Sequence, residues 1–305
     1  MLYWINYIFI FHIILDGEKM EKTKNIFEKA IEEQGTLFKE PEVFTLEYIP
    51  ETLKFRDKEI LSMIAYSKAL HSKNAPSNME ITGPPATGKT TIIKKYLEII
   101  EGKFDVVTAY INCGFEKTEN QILIKIYNEI HNKKIKSGIG NHLLKNKIMS
   151  YLGETGKILV VCFDDYGSNK ISNKDIDELN KIMYTLLRGH ETNPMIKTAV
   201  ITVTNRKYIN FVLSQSVETM FNPVYINFDP YELDEIFNIL KNRCDIGFAK
   251  GVISEDVIHD IAEYTYQKSD LRIGIRCLSD AGRNAELLGS STIERKHLNF
   301  QNSAF

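Results

Sequence analysis

The stretch Gly83-Pro84-Pro85-Ala86-Thr87-Gly88-Lys89-Thr90 decides the fold of this 305-residue chain. It matches the pattern G-x-x-x-x-G-K-[ST], whose glycines let successive backbone N–H groups point at the phosphates of a nucleoside triphosphate. Lys89 is expected to reach the β- and γ-phosphate oxygens, and the Thr90 hydroxyl is expected to ligate Mg²⁺. Residues 83–91, which end at Thr91, are therefore predicted to bind ATP or ADP together with Mg²⁺.

The residues on either side of this loop fit the same interpretation. Met79-Glu80-Ile81-Thr82 is a short strand-like run, and residues 91–100 have the apolar spacing of a helix. A helix that begins near Thr90 directs its positive end toward bound phosphate. The alternative is a surface turn that matches by chance, which the strand before the loop and the helix after it disfavour.

Composition argues against a disordered chain and against a zinc protein. Hydrophobic residues make up 43% and charged residues 26%, which is ordinary for a globular chain, and the length favours two domains. The net charge of −2 gives no global attraction for nucleic acid, so any DNA contact needs a local patch. The four cysteines form no C-x-x-C and the seven histidines no H-x-x-x-H, so we expect no zinc and a reducing, cytoplasmic location.

The first fifteen residues are almost wholly apolar. A membrane-spanning helix needs about twenty such residues. A secretory signal needs an early positive charge, and the first Lys or Arg is Lys19. We interpret Met20 as the true start and residues 1–19 as an untranslated leader, and we expect no membrane association.

Strand-like runs alternate with helical patterns through the middle of the chain. The strand-like runs are residues 79–82, 106–112, 158–163, 198–204 and 224–228. The helical patterns are residues 56–72, 91–100, 120–131, 175–187 and around 211–220. This alternation predicts an α/β fold with a five-stranded parallel sheet and helices on both faces.

The helical patterns become continuous from residue 231 onward, which predicts a small all-α domain. Further upstream, residues 21–33 are predicted as helix and residues 44–50 as extended. The mildly basic residues 133–147 are interpreted as a solvated loop and not as a DNA site. The predicted domains are a leader (1–19), an N-terminal segment (20–55), a nucleotide-binding base (56–230) and a helical domain (231–305).

Two carboxylates follow the apolar run at residues 158–163. At the tip of a buried strand beside the phosphate loop, Asp164 is predicted to hold Mg²⁺. Asp165 stands where a Glu usually orients the attacking water. Because the shorter side chain loses about 1.5 Å of reach, and a misplacement of about 1 Å can cost about a hundredfold in rate, we expect firm binding and slow hydrolysis. The alternative is a capping pair that opens a loop.

Two further polar residues are candidates for the γ-phosphate. Asn205 ends the strand-like run 198–204 and could bind the γ-phosphate or the attacking water, although it could also be a simple turn residue. Arg272 follows Asp270, a plausible helix cap, and could reach the γ-phosphate from the helix start. The alternative for Arg272 is a solvated surface position.

Taken in this order, these features resemble AAA+ P-loop ATPases, and among them the archaeal origin-recognition (Orc/Cdc type) initiators. The residues that carry the closer resemblance are Tyr48-Ile49-Pro50-Glu51-Thr52-Leu53-Lys54-Phe55-Arg56-Asp57-Lys58-Glu59, Tyr110-Ile111-Asn112-Cys113, Phe228-Asp229-Pro230-Tyr231 and Ser269-Asp270-Leu271-Arg272. The resemblance covers residues 48–298. It implies an AAA+ base followed by a helical lid.

The resemblance also implies the remaining site residues and the partners. Tyr48, Pro50 and Arg56 would lie near the adenine, and Tyr231 and Arg243 would complete the nucleotide pocket. Members of the family bind double-stranded DNA at replication origins and help load the minichromosome maintenance helicase. These are the partners expected here beside ATP.

Three departures from the family pattern shape the expected function. Asp165 replaces the usual Glu. A neighbour-activating arginine is expected in the segment after Asn205, but no Lys or Arg occurs between Lys207 and Lys241, and Arg206 is the nearest candidate and a weak one. The chain also ends soon after Leu298, so we expect the winged-helix DNA-binding domain to be missing. We expect a slow ATPase that acts as a nucleotide-dependent switch for origin binding or helicase loading. The alternatives are an adaptor without direct DNA binding and a helper ATPase of a mobile element.

Overall fold

The computed structural model describes residues 37–167, 171–205 and 213–300. The apolar leader, the predicted helix at residues 21–33 and Arg206 lie outside the described residues. The interpretations of these residues stay predictions.

The described residues form two compact units. The larger unit contains residues 47–239 and 262–272, and the smaller unit contains residues 37–46, 240–261 and 273–300. Three of the C-terminal helices contribute residues to both units. In this part of the chain, no helix is long and apolar enough to cross a membrane.

A five-stranded sheet is the centre of the larger unit. Its strands are β1 (Met79–Thr82), β2 (Val106–Asn112), β3 (Ile158–Asp164), β4 (Lys197–Thr204) and β5 (Val224–Asn227). They lie in the order β2-β3-β4-β1-β5, and each neighbouring pair is parallel. The predicted parallel sheet is confirmed, with strand bounds that differ by at most one residue.

Strand β3 is buried along its whole length. Its side chains alternate between two apolar clusters, because Val161 and Phe163 belong to one cluster and Val160 and Cys162 to the other. Helices therefore cover both faces of the sheet, as the continuous apolar run predicts. This burial holds Asp164, the last residue of β3, at a fixed point on the sheet edge.

The α-helices are α1 (Asp57–Tyr66), α2 (Lys89–Lys103), α3 (Glu119–His131), α4 (Asn141–Thr155), α5 (Asn173–Leu187), α6 (Gly189–Thr192), α7 (Gln215–Phe221), α8 (Leu233–Gly247), α9 (Glu255–Lys268) and α10 (Leu271–Leu287). Short 3₁₀-helices span Pro41–Phe44, Lys68–Ser72 and Arg295–His297. Helices α8, α9 and α10 are the ones that contribute residues to both units.

Two helix predictions need correction. The predicted loop at residues 133–147 is wrong in its second half, because α4 begins at Asn141 and buries an apolar stripe of Leu144, Ile148 and Leu152 at four-residue spacing. Ile148 and Leu152 lie beyond residue 147, so the stretch 133–147 contains only the first member of that stripe. The single helix predicted at residues 56–72 is in fact α1 followed by a 3₁₀-helix.

The smaller unit is organised around three aromatic rings. The Phe44 and Phe248 ring centroids are 4.4 Å apart, and the Phe38 centroid is 5.0 Å from that of Phe248. The rings pack against α10 at Gly282, where an added Cβ would lie 2.4 Å from the Phe38 ring. Residues 37–44 therefore pack in one core with helices that follow two hundred residues later.

Candidate nucleotide site

The ends of three neighbouring strands bring the predicted site residues to one edge of the sheet. The phosphate loop follows β1, Asp164 ends β3, and Asn205 follows β4. These strands are neighbours in the order β3-β4-β1 and all run in the same direction. Open parallel sheets bind ligands at this carboxyl edge.

The two glycines of the loop are required by the backbone and by close neighbours. Gly83 has φ 148° and Gly88 has φ 87°, values that side-chain-bearing residues rarely adopt. A Cβ on Gly83 would lie 2.3 Å from the carbonyl oxygen of Phe228, and a Cβ on Gly88 would lie 2.9 Å from the Tyr231 hydroxyl. Either substitution would distort the loop.

The Lys89 ammonium lies at the centre of this edge. Its Nζ donates to the carbonyl oxygens of Gly83 (2.7 Å) and Pro84 (2.6 Å) and to Oδ1 of Asn205 (3.0 Å). Lys89 and Asn205 were predicted to bind phosphate for separate reasons, and the structure places them in direct contact. A γ-phosphate near Lys89 would therefore also lie near the Asn205 amide.

Burial lowers the pKa of Lys89 to about 8. The carboxylates of Asp164 and Asp165 act in the opposite direction, while the nearby arginines add to the lowering. An ammonium that has lost much of its water is destabilised by that loss, so an anion that comes to lie beside it is bound more strongly.

Asp164 is buried and accepts hydrogen bonds on both carboxylate oxygens. Thr90 Oγ1 (2.7 Å) and the Tyr110 hydroxyl (2.6 Å) donate to Oδ2, and the backbone N–H of Asp165 (2.8 Å) donates to Oδ1. Burial and the Asp164 charge raise the pKa of Tyr110, so its hydroxyl keeps its proton and remains a donor. No local pattern in the sequence predicts this role of Tyr110.

Thr90 and Asp164 are the residues predicted to bind Mg²⁺, and the chemistry of their side chains fits that ion. Mg²⁺ prefers oxygen ligands and is bound through one or two carboxylates, waters and substrate phosphates. A hydroxyl and a carboxylate that already meet beside the phosphate loop fit that preference.

Asp165 differs from Asp164 in burial and in backbone conformation. Its side chain is exposed, and its backbone has φ 56°, in the left-handed region. Its charge acts on both Lys89 and Arg272, which places the carboxylate within electrostatic reach of both cations.

Arg272 is held by its neighbour Asp270 at the start of α10. The Arg272 Nε lies 2.9 Å from Asp270 Oδ1, and the Arg272 backbone N–H donates to the same oxygen at 3.0 Å. These contacts agree with the predicted capping role of Asp270. The hydrogen bonds to Asp270, and then the charge of Asp165, raise the pKa of Arg272.

Arg56 joins the loop to the segment that follows β5. Its Nε donates to the Thr87 carbonyl (3.0 Å), its Nη2 donates to the Asp229 carbonyl (2.8 Å), and its guanidinium carbon lies 3.8 Å from the Tyr231 ring centroid. The side chain is buried. These contacts stabilise the loop, and the predicted contact of Arg56 with the adenine stays a prediction.

A cavity of about 480 Å³ opens beside the loop within the larger unit. Its lining residues are Pro85, Ala86, Thr87, Pro230, Tyr231, Glu232, Ile236, Tyr266, Gln267, Ser269, Asp270 and Leu271. The volume falls within the range of small-molecule sites. Nothing in the local sequence predicts Ile236, Tyr266 and Gln267 as site residues, because they lie far along the chain from the loop.

Two family models match parts of this chain. A model of the Cdc6 AAA+ ATPase-type lid domain matches residues 237–300, and a model of the NB-ARC domain matches residues 62–204. ORC1-type DNA replication protein 2 of Methanothermobacter thermautotrophicus is 33% identical over 92% of this chain and 73% of its own length. The protein of the same description from Methanosarcina mazei is 34% identical over 85% of this chain and 69% of its own length.

The chain belongs to the family of ORC1-type DNA replication proteins. Solved structures show that the fold is shared. The Aeropyrum pernix ORC1 protein in complex with DNA superposes with a TM-score of 0.73 at 20% identity, covering 88% of this chain and 70% of that one. Cdc6p from Pyrobaculum aerophilum gives 0.70 at 23% identity, covering 85% and 69%.

As an ORC1-type protein, the chain is an AAA+ protein of the DNA replication initiation class and binds nucleotide. An ORC2 structure from Aeropyrum pernix with ADPNP and ADP is among its structural neighbours, at a TM-score of 0.71 and 22% identity, covering 88% of this chain and 72% of that one.

The residues assigned only by family resemblance lie in different surroundings. Tyr48 and Pro50 are half-buried in an irregular segment of the larger unit. Arg243, in the smaller unit, donates to the Val43 carbonyl. Their predicted contacts with the nucleotide stay predictions for this ORC1-type chain.

Proposed function

We propose that this chain binds ATP with Mg²⁺ at the carboxyl edge of the sheet and acts as a slow nucleotide-dependent switch in replication initiation. The observation that supports it best is the position of Lys89 Nζ, within 3.0 Å of two loop carbonyls and the Asn205 amide oxygen. The adjacent Thr90–Asp164 pair offers oxygen ligands beside the same loop.

Each site residue is assigned one part of the bound nucleotide. Lys89 exchanges its carbonyl partners for β- and γ-phosphate oxygens, and the loop N–H groups hold the α- and β-phosphates. Thr90 and Asp164 hold Mg²⁺, which neutralises phosphate charge when it is bound. Asn205 and Arg272 bind the γ-phosphate, which is the part that distinguishes ATP from ADP.

Slow hydrolysis follows from Asp165. Its carboxylate stands on an exposed turn and is one methylene shorter than Glu, so it orients the attacking water poorly. Nucleotide is then held for long periods. A ligand that binds one of two conformations more tightly shifts the balance toward that conformation. The γ-phosphate contacts give ATP this difference in affinity.

The test compares ATP hydrolysis by wild type, Asp165→Glu and Lys89→Ala, with Asp177→Glu as a matched control because Asp177 is an exposed residue on α5. We expect slow turnover in wild type, faster turnover in Asp165→Glu, no turnover in Lys89→Ala and no change in Asp177→Glu. A wild type that turns over many times per second without partners contradicts the slow switch.

DNA at replication origins and the minichromosome maintenance helicase are the proposed partners of the ATP-bound form. The DNA complex of the Aeropyrum pernix ORC1 protein, a structural neighbour, supports the first partner. Binding of duplex DNA should be measured in ATP and in ADP over a series of salt concentrations. Contacts with phosphates make the logarithm of the affinity fall linearly with the logarithm of salt.

The second candidate is an adaptor that binds nucleotide but does not touch DNA. The net charge of −2 favours it, because a chain of this charge lacks a general attraction for DNA. Nucleotide binding without any salt-dependent DNA binding would support the adaptor over the switch at origins.

A further inference from the structure

An apolar groove lies on the larger unit between α1, the 3₁₀-helix Lys68–Ser72 and α2. We call it the α1–α2 groove; it encloses about 360 Å³. Its lining residues are Leu53, Ile60, Met63, Ile64, Ser67, Lys68, His71, Ile92, Lys95, Tyr96, Ile99, Ile100, Lys103 and Phe104. The nucleotide site uses the N-terminal end of α2, and the groove uses the rest of that helix.

Two buried hydroxyls within the groove are already hydrogen-bonded to each other. The Ser67 and Tyr96 hydroxyls, both buried, lie 2.7 Å apart, and Ser67 Oγ also donates to the Met63 carbonyl. Burial raises the pKa of Tyr96, so its hydroxyl stays neutral. An apolar ligand that covers this pair leaves neither hydroxyl without a partner, so covering the pair costs little.

The walls of the groove expose aliphatic side chains. Ile64 on α1 is 53% exposed and Ile99 on α2 is 44% exposed. Leu61, one turn before Ile64, is 64% exposed. A single exposed aliphatic residue is ordinary, but a contiguous patch on two neighbouring helices is typical of an interaction site.

The charges at the groove are all of one sign. Lys68, Lys95 and Lys103 line it, and none of the described residues that line it is Asp or Glu. Lys95 pairs with Glu98 outside the groove at 3.1 Å. An occupant with negative charge at its edges would be complementary to this rim, and one with positive charge would be repelled.

We propose that the α1–α2 groove docks an amphipathic helix of a partner protein, with aliphatic residues on its buried face and Asp or Glu along its edges. A helix enters an apolar groove through side chains at positions i, i+3, i+4 and i+7. Ile64 and Ile99 would contact that apolar face, and Lys68, Lys95 and Lys103 would contact the acidic edges. The proposal does not depend on nucleotide binding.

The probe is a fluorescein-labelled synthetic helix of about 18 residues, long enough to form in isolation. It carries Leu at the four groove-facing positions and Glu on both sides, and a second probe carries Lys in place of Glu. Fluorescence anisotropy with the full chain measures both affinities at two salt concentrations. We expect the acidic probe to bind about tenfold or more tightly than the basic probe, and to weaken with added salt.

Two variants of the groove and one control complete the experiment. The double variant Ile64→Glu, Ile99→Glu should lower the affinity for the acidic probe about tenfold. The double variant Lys68→Glu, Lys103→Glu should lower it by a similar factor. Leu143→Glu is the matched control, because Leu143 is 51% exposed on α4 and does not line the groove. Thermal unfolding of each variant checks that the exposed substitutions leave the fold intact.

Failure of the acidic probe to bind, equal binding of the two probes, or groove variants that bind like wild type would each overturn the proposal. A photocrosslinking benzophenone amino acid in place of Leu61 tests whether something other than a partner protein occupies the groove. Photocrosslinks to residues 1–36 of the same chain would assign the groove to that segment, and crosslinks between two copies would assign it to self-association. Either result would also overturn the proposal.

Discussion

Lys89 and Arg272 are the two cations proposed for the γ-phosphate, and the larger unit holds them in different ways. Lys89 is buried and lies against two backbone carbonyls and a side chain that follows a neighbouring strand. The Arg272 side chain is 45% exposed and is paired with Asp270, two residues before it. The first cation is positioned by the sheet and the second by its own helix start.

The difference indicates separate tasks for the two groups. The partners of Lys89 directly follow β1 and β4, so the fold itself places the ammonium at this edge and buries it before nucleotide binds. Arg272 can exchange one carboxylate for a phosphate at small cost, because half of its side chain is already in water. We therefore expect Lys89 to control binding of any nucleotide and Arg272 to distinguish ATP from ADP.

Removing Lys89 should have the largest effect. Lys89→Ala removes a charged donor from the β- and γ-phosphates, and we expect nucleotide affinity to fall about 100-fold or more, because each hydrogen bond to a charged group contributes about 1.5–3 kcal/mol. Titration with fluorescent ATP and ADP measures it. Lys125→Ala, on the exposed surface of α3, is the control. An affinity within a few-fold of wild type would mean that Lys89 does not hold the phosphates.

Raising the pH should also weaken binding through Lys89. Because burial lowers its pKa to about 8, the ammonium loses its proton as the pH rises through that value. Bound phosphate favours the charged form, so we expect affinity to fall about tenfold between pH 7 and pH 9, with uptake of a proton at pH 9. Isothermal titration calorimetry in buffers of different ionisation enthalpy detects that proton. A constant affinity without proton uptake would contradict the assignment.

Arg272→Ala tests the other side of the comparison. We expect ATP affinity to fall about fivefold, while ADP affinity stays near that of wild type, because a half-exposed contact contributes about 1 kcal/mol. Parallel titrations with the two nucleotides give the ratio. Arg295→Ala is a suitable control, since Arg295 also forms a surface pair with an aspartate, Asp260. An equal loss for ATP and ADP would remove the distinction between the two cations.

Tyr110→Phe should have the smallest effect. The substitution removes one of the two hydroxyl donors to Asp164 Oδ2 and leaves the ring in place. We expect the Mg²⁺ concentration needed for half-maximal ATP binding to rise roughly threefold, with little change in Mg²⁺-free binding. Tyr96→Phe, which removes a hydroxyl elsewhere in the larger unit, is the comparison variant. A loss that is equal with and without Mg²⁺ would indicate a purely structural role for Tyr110.

Much of this site could be predicted because its residues follow short-range rules. The phosphate loop, the burial of β3 before Asp164 and the cap at Asp270 are each visible within a window of eight or so residues. The start of α4 was predicted as loop for the same reason, since residues 133–147 contain only the first member of its apolar stripe. Contacts between strands, such as Tyr110 with Asp164, leave no comparable local pattern.

The order of residues along the chain determined by itself which groups can bind phosphate and metal, because a tight turn, a strand or a helix start depends on neighbours in the chain. The tertiary structure alone decided which of them meet. The strand order β3-β4-β1 places Asn205 against Lys89, and the packing of residues 37–44 with Gly282 joins distant parts of the smaller unit. Such meetings depend on burying apolar surface shared by segments far apart in the chain, and no local window contains that information.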